Sequence, residues 1–118
     1  TMCAATGVTG VFTGLQTLRI KETDRIAAMK AELKKIGVPF YRLPGKMTKY
    51  SKAEYHMIEG IARFEGIPSF DTYEDHRMAM CMAPLALLHP IEIQHQEVVV
   101  KSYGNFWNDL KSLGMTIL

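Results

Sequence analysis

The sequence predicts an α+β fold. Short runs of β-branched residues alternate with three stretches of helical periodicity, and glycines fall at the junctions between them. Three basic clusters, Lys21-Glu22-Thr23-Asp24-Arg25, Asp75-His76-Arg77 and Lys101-Ser102, each stand where one of these helices is predicted to begin. At 118 residues, with 47% hydrophobic and 22% charged side chains, the chain has the composition of one globular domain with its own core.

Thr1-Met2-Cys3-Ala4-Ala5-Thr6 reads as the end of a helix closed by Gly7 as its C-cap. Nothing ahead of it caps a helix start, so the expectation is a fragment of a longer protein; a reading frame that opens at Met2 would instead make it a free-standing module. Residues 8–13 form a short strand between Gly7 and Gly14. The first full helix spans residues 23–36, with Ile26, Met29, Leu33 and Ile36 on one stripe. Thr23 is its expected N-cap, Lys34 and Lys35 favour the C-terminal dipole, and Gly37 ends it. Strands are predicted over 39–43 and 57–61, with an exposed loop over 44–55 between them and a turn around 65–68.

The second helix is expected to start with Asp75 as N-cap and run to Leu88, burying Met78, Met82 and Leu85 with Cys81 beside them. Pro84 inside this pattern predicts a kink or a lost hydrogen bond near Met80. Residues 91–94 and 97–100 read as strands, the second delivering Lys101 at its exit. The third helix is predicted from Ser102 as N-cap through Leu113, closed by Gly114, with a last short strand over 115–118. The repeated strand, basic residue and helix hints at internal repetition.

Several function classes are excluded. A net charge of +2, without a basic block interleaved with aromatics, argues against nucleic acid. Within residues 1–118 no apolar run reaches the roughly 18 residues of a membrane span, and no stretch reads as a signal peptide. Cys3 and Cys81 lack CxxC partners and read as reduced thiols, which fits a cytoplasmic protein. His56, His89 and His95 show no metal-ligand spacing, and Gly7, Gly10 and Gly14 are too spread for a phosphate loop.

The basic clusters carry the functional signal. A helix start already holds partial positive charge and free N–H donors, so a Lys or Arg there needs a compensating anion. The first cluster alone also fits a solvated helix start with local ion pairs, worth about 0–1 kcal/mol. Asp75 alone fits a structural N-cap beside a surface His76, and Lys101 alone a strand-end solubiliser. Three together point to a shared phosphate or carboxylate. Arg25 offers a planar fork, Lys21 a point charge, and Glu22 between them a carboxylate able to move protons if desolvated.

These segments resemble the 5-enolpyruvylshikimate-3-phosphate synthase family. Leu18-Arg19-Ile20-Lys21-Glu22-Thr23-Asp24-Arg25-Ile26, with Glu32-Leu33 and Gly37, is similar to that family's Lys-Glu-Ser/Thr-Asp-Arg segment. Tyr73-Glu74-Asp75-His76-Arg77-Met78-Ala79-Met80 resembles its Asp-His-Arg-Met-Ala-Met segment, and Val100-Lys101-Ser102-Tyr103 its C-terminal lysine motif. The likeness runs from Gly14 onward. UDP-N-acetylglucosamine enolpyruvyl transferase, which lacks the full Lys-Glu-Thr-Asp-Arg string, and a free-standing anion-binding α+β module are the alternatives.

The resemblance implies a transferase of the shikimate pathway, which leads to chorismate and aromatic amino acids. It moves the enolpyruvyl group of phosphoenolpyruvate to the 5-hydroxyl of shikimate 3-phosphate and releases phosphate through a tetrahedral intermediate, without metal or organic cofactor. By motif match, Arg25, Arg77 and Lys101 hold phosphoenolpyruvate, and Lys21 and Thr17 meet shikimate 3-phosphate. Glu22 serves proton transfer, His76 lies near the reacting centre, and glyphosate is a possible inhibitor. Thr17 stands where some members have Asn, and Gly104 where the lysine motif usually continues with Pro.

The family's fold is two domains of repeated βαβαββ units with the active site in the cleft between them. Residues 1–118 then form part of the C-terminal domain, with the catalytic aspartate just upstream and the fragment alone inactive. A missing neighbour leaves apolar surface uncovered and favours self-association.

Overall fold

In a computed structural model, which describes residues 1–48 and 52–118, β3 (Tyr55–Ile58) is the centre of an antiparallel sheet. It pairs with β1 (Gly10–Thr13) from Gly10↔Ile58 to Thr13↔Tyr55, and with β2 (Phe40–Arg42) from Phe40↔Ile58 to Arg42↔His56. The two-residue period of a strand puts His56 and Ile58 inside. Gly60, at φ 87°, ends β3 before the predicted residue 61. A second, two-stranded parallel sheet joins β4 (Ser69–Phe70) to β5 (Glu92–Ile93), with α3 (His76–Met82) as the crossover.

Ahead of β1 lies α1 (Met2–Thr6), closed as expected by Gly7 in the left-handed region at φ 73°. α2 spans Arg25–Lys34. Gly37, at φ 72°, closes its C-terminal turn: the Gly37 N–H donates to the Lys34 carbonyl and the Val38 N–H to that of Leu33, both at 3.0 Å. α2 packs on β2. Leu33, Ile36, Val38, Ile58, Phe70, Met78, Met82 and Leu85 form the core where α2, α3 and both sheets meet. None of the helices among the described residues is long and apolar enough to cross a membrane.

Several expectations are corrected. Asp24, not Thr23, caps α2: its side chain accepts the Ala27 N–H at 3.0 Å. The second helix stops at Met82, where Pro84 removes an N–H donor, and continues as a 3-10 turn over Ala83–Leu87. Residues 97–100 are not a strand. They belong to a 3-10 turn, Gln96–Lys101, that packs on α3 and buries Val99 while leaving Val100 exposed. Tertiary packing overrides the β propensity of three consecutive valines.

The last helix, α4 (Phe106–Ser112), therefore starts well after Ser102, and residues 115–118 form no strand. The predicted loop over 44–55 contains a 3-10 turn at Gly45–Met47, and its residues 49–51 lie outside the described residues.

Candidate active site

The site is built where β4 hands over to α3. Phe70 is fully buried, and the chain turns through 71–74 before α3 begins. Tyr73 (φ 51°) and Glu74 (φ 57°) both adopt the left-handed region, which costs a residue with a side chain on the order of 1–3 kcal/mol. The Asp75 N–H donates to the Thr72 carbonyl at 2.8 Å. Asp75 caps α3 as predicted: its Oδ1 accepts the Arg77 backbone N–H at 2.9 Å.

Asp75 also reaches α2. Its fully buried carboxylate takes Arg25 Nε on Oδ2 at 2.6 Å and Arg25 Nη2 on Oδ1 at 3.2 Å. Arg25 is only 7% exposed, and its Nη2 donates also to Glu22 Oε2 at 2.6 Å. Burial alone pushes the Asp75 carboxyl up. The hydrogen bonds from Arg25 and the Arg77 N–H, with the Arg25 charge, outweigh it and hold the group below its ordinary range. The Asp75 hydrogen bond in turn raises the Arg25 guanidinium against its own burial. The cation at the start of α2 is thus compensated from within the protein, by Asp75 and Glu22.

Arg77 is different. Its side chain is exposed, and among the described residues no ion pair or side-chain hydrogen bond engages its guanidinium. Arg25 and Arg77 line one cleft of about 200 Å³. Leu15, Leu18, Ile26, Met29 and Cys81 contribute apolar walls, and burial pushes the Cys81 thiol up. Leu15 precedes and Leu18 lies within the 3-10 turn Gln16–Ile20, which packs on α2 just ahead of the Lys-Glu-Thr-Asp-Arg segment.

The other predicted residues are placed as follows. Thr17 is exposed on that 3-10 turn, and Lys21 follows it, exposed and ahead of α2 rather than on a helical face shared with Arg25. Glu22 is tied to Arg25, and His76 is the half-buried first residue of α3. Lys101 does not open a helix and does not leave a strand. It is exposed at the C-terminal end of the 3-10 turn on α3, where the free carbonyls favour a cation, so its position needs no outside anion. Lys101 is not part of the wall shared by Arg25 and Arg77.

Two arrangements escape the sequence. Glu32, 1% exposed on α2, binds the 71–74 turn: its Oε1 accepts the Tyr73 hydroxyl at 2.7 Å and its Oε2 the Asp71 N–H at 3.0 Å. Burial and then this hydrogen bond push the Tyr73 phenol up to about 12. The sequence offers only the helical spacing of Arg25, Ala28 and Glu32; that this row is buried, two charged members included, comes from the structure. Separately, Glu54 gathers Arg19, Arg42 (3.7 Å) and the buried His56 (3.5 Å) at the edge of the antiparallel sheet. Burial lowers the His56 pKa. Among the described residues no group of three or more His, Cys, Asp or Glu could hold a metal ion.

A family model described as EPSP synthase (3-phosphoshikimate 1-carboxyvinyltransferase) matches residues 1–110. The chain is 46% identical over 116 residues to a 3-phosphoshikimate 1-carboxyvinyltransferase of Bacteroides fragilis (strain YCH46), covering 98% of this chain and 27% of the relative. Proteins of the same name from Clostridium beijerinckii (38% over 99 residues, 82% of this chain and 21% of the relative) and Methanobrevibacter smithii (36% over 113 residues, 96% and 23%) are also similar. The chain thus spans about a quarter of the length of these curated relatives.

Proposed function

We propose that this chain, which belongs to the EPSP synthase family, supplies the phosphoenolpyruvate side of a 3-phosphoshikimate 1-carboxyvinyltransferase active site. The observation that carries the reading is the shared cleft of Arg25 and Arg77, with Asp75 joined to both. Arg77 presents an open guanidinium to an anion. Arg25 is locked to buried Asp75 but shares its Nη2 with Glu22, whose side chain is 54% exposed and can swing out. An arriving carboxylate or phosphate then displaces Glu22 from Arg25 and leaves that carboxylate beside the ligand for proton transfer.

Lys101 is the third cation assigned to phosphoenolpyruvate, Lys21 and Thr17 are assigned to shikimate 3-phosphate, and His76 to the reacting centre. Cations suit a reaction that passes through a phosphate-bearing tetrahedral intermediate, because they stabilise its charge, and Arg25 is already held in place by Asp75. Glyphosate, itself an anion, would compete for the same cations.

We assign residues 1–118 to the C-terminal one of two domains built from repeated βαβαββ units, in a cytoplasmic enzyme whose turnover needs the rest of the protein. The free thiols Cys3 and Cys81 support a reducing compartment. The family match favours neither the UDP-N-acetylglucosamine enolpyruvyl transferase nor the free-standing module.

The test is phosphate release by the full-length protein. It is expected to require both phosphoenolpyruvate and shikimate 3-phosphate, and Arg77→Ala is expected to raise the phosphoenolpyruvate KM. Release with UDP-N-acetylglucosamine instead, or no release with either acceptor, would reject the reading.

A further inference from the structure

We propose that Glu32 and Tyr73 form a clamp that positions Arg77 for its anion, a role that rests on the anion-site reading above. The turn between β4 and α3 carries two consecutive left-handed residues with side chains, Tyr73 and Glu74. Such a turn persists only where its surroundings over-determine it. Glu32 supplies that constraint from α2: its carboxylate takes the Tyr73 hydroxyl at 2.7 Å and the Asp71 N–H at 3.0 Å. Asp71 Oδ1 closes the ring by accepting the Tyr73 N–H at 2.9 Å.

Lys35 holds Glu32 Oε2 at 2.6 Å and donates to the Ser69 carbonyl at 2.9 Å, tying the same carboxylate to β4. The turn passes directly to Asp75, and Asp75 to the Arg77 N–H. α2 therefore grips the approach to α3 twice, by Arg25 on Asp75 and, two turns along, by Glu32 on Tyr73 and Asp71. The first grip orients the cations. The second holds the strained backbone that leads through Asp75 to Arg77, a residue at the rim of the cleft. Neither Glu32 nor Tyr73 lines that cleft, so both act through Arg77 as positioning residues.

Steady-state kinetics on the full-length protein test the clamp. Tyr73→Phe removes one oxygen and keeps the ring in the fold. It is expected to raise the phosphoenolpyruvate KM about tenfold with kcat within about twofold. Adding Glu74→Gly is expected to recover most of that rise, because glycine reaches positive φ without steric cost. Glu74→Gly alone measures the effect of removing the charge.

An unchanged KM, a loss confined to kcat, or a rise that Glu74→Gly fails to reverse would overturn the clamp. Arg77→Ala in the same assay separates the two claims. If it leaves KM unchanged, the anion-site reading and the clamp fall together. If it raises KM while Tyr73→Phe does not, the clamp alone falls.

Discussion

Asp75 grips Arg25 across fifty residues of sequence, through contacts of 2.6 and 3.2 Å that are closed to solvent. Two charges in such a place are stable only as a pair. Asp75→Asn keeps an acceptor for the Arg77 N–H but leaves the buried guanidinium with only the half-exposed Glu22 as counter-charge, a loss expected toward the lower end of the about 3–5 kcal/mol of a broken buried pair. A urea titration of the full-length protein is expected to show that fall in the transition containing this domain. A change under about 1 kcal/mol would mean that Arg25 relaxes into water.

Arg77→Lys separates a fork from a point charge. Lysine keeps the charge and loses the planar pair of donors, so the phosphoenolpyruvate KM is expected to rise about tenfold or more. An unchanged KM would remove Arg77 from the site.

Lys101 stands outside the wall shared by Arg25 and Arg77, on the turn packed against α3. If it holds the same anion, Lys101→Ala raises the KM for phosphoenolpyruvate and weakens inhibition by glyphosate together. Inhibition that weakens with KM unchanged would assign Lys101 elsewhere.

His56 gives the pH dependence. Burial lowers its pKa from the ordinary 6.5, partly offset by Glu54. Between the lowered native value and 6.5 the unfolded chain binds more protons than the native one, so stability rises with pH in that window. The contribution of neutral His56 is complete above 6.5 and is lost as the pH falls through the native value. An NMR titration of the ring is expected to find its midpoint below 6.5, and a midpoint at or above that value would contradict the burial argument.

The parts of the fold that were legible in sequence are those set by local chemistry. Asp75 as a cap and Gly7 and Gly37 as helix ends need only neighbouring residues, and each is where local rules put it. Pro84 was read as a kink in a helix reaching Leu88, whereas the α-helix stops at Met82 and gives way to a 3-10 turn. Val98-Val99-Val100 was misread because propensity carries no knowledge of α3, against which only Val99 is buried. Ser102 was misread with it, since it closes the 3-10 turn and the helix starts only at Phe106.

At the site, Arg25 and Arg77 stood out as cations at helix starts, but their connection through Asp75 did not. A cap and a salt-bridge partner look alike in one dimension, and Asp75 is both. Glu32 entered the sequence reading only as part of the family-like segment, with no role of its own. Its burial follows from the turn it holds, which becomes visible only when β4 and α2 are side by side.

The most direct test of the shared-anion claim is an NMR titration of the full-length protein, carrying ¹⁵N-arginine, with phosphoenolpyruvate in the presence of shikimate 3-phosphate. The Nε–H signals of Arg25 and Arg77 are expected to move together along one binding curve. Movement of one without the other, or of neither while phosphoenolpyruvate binds, would contradict it.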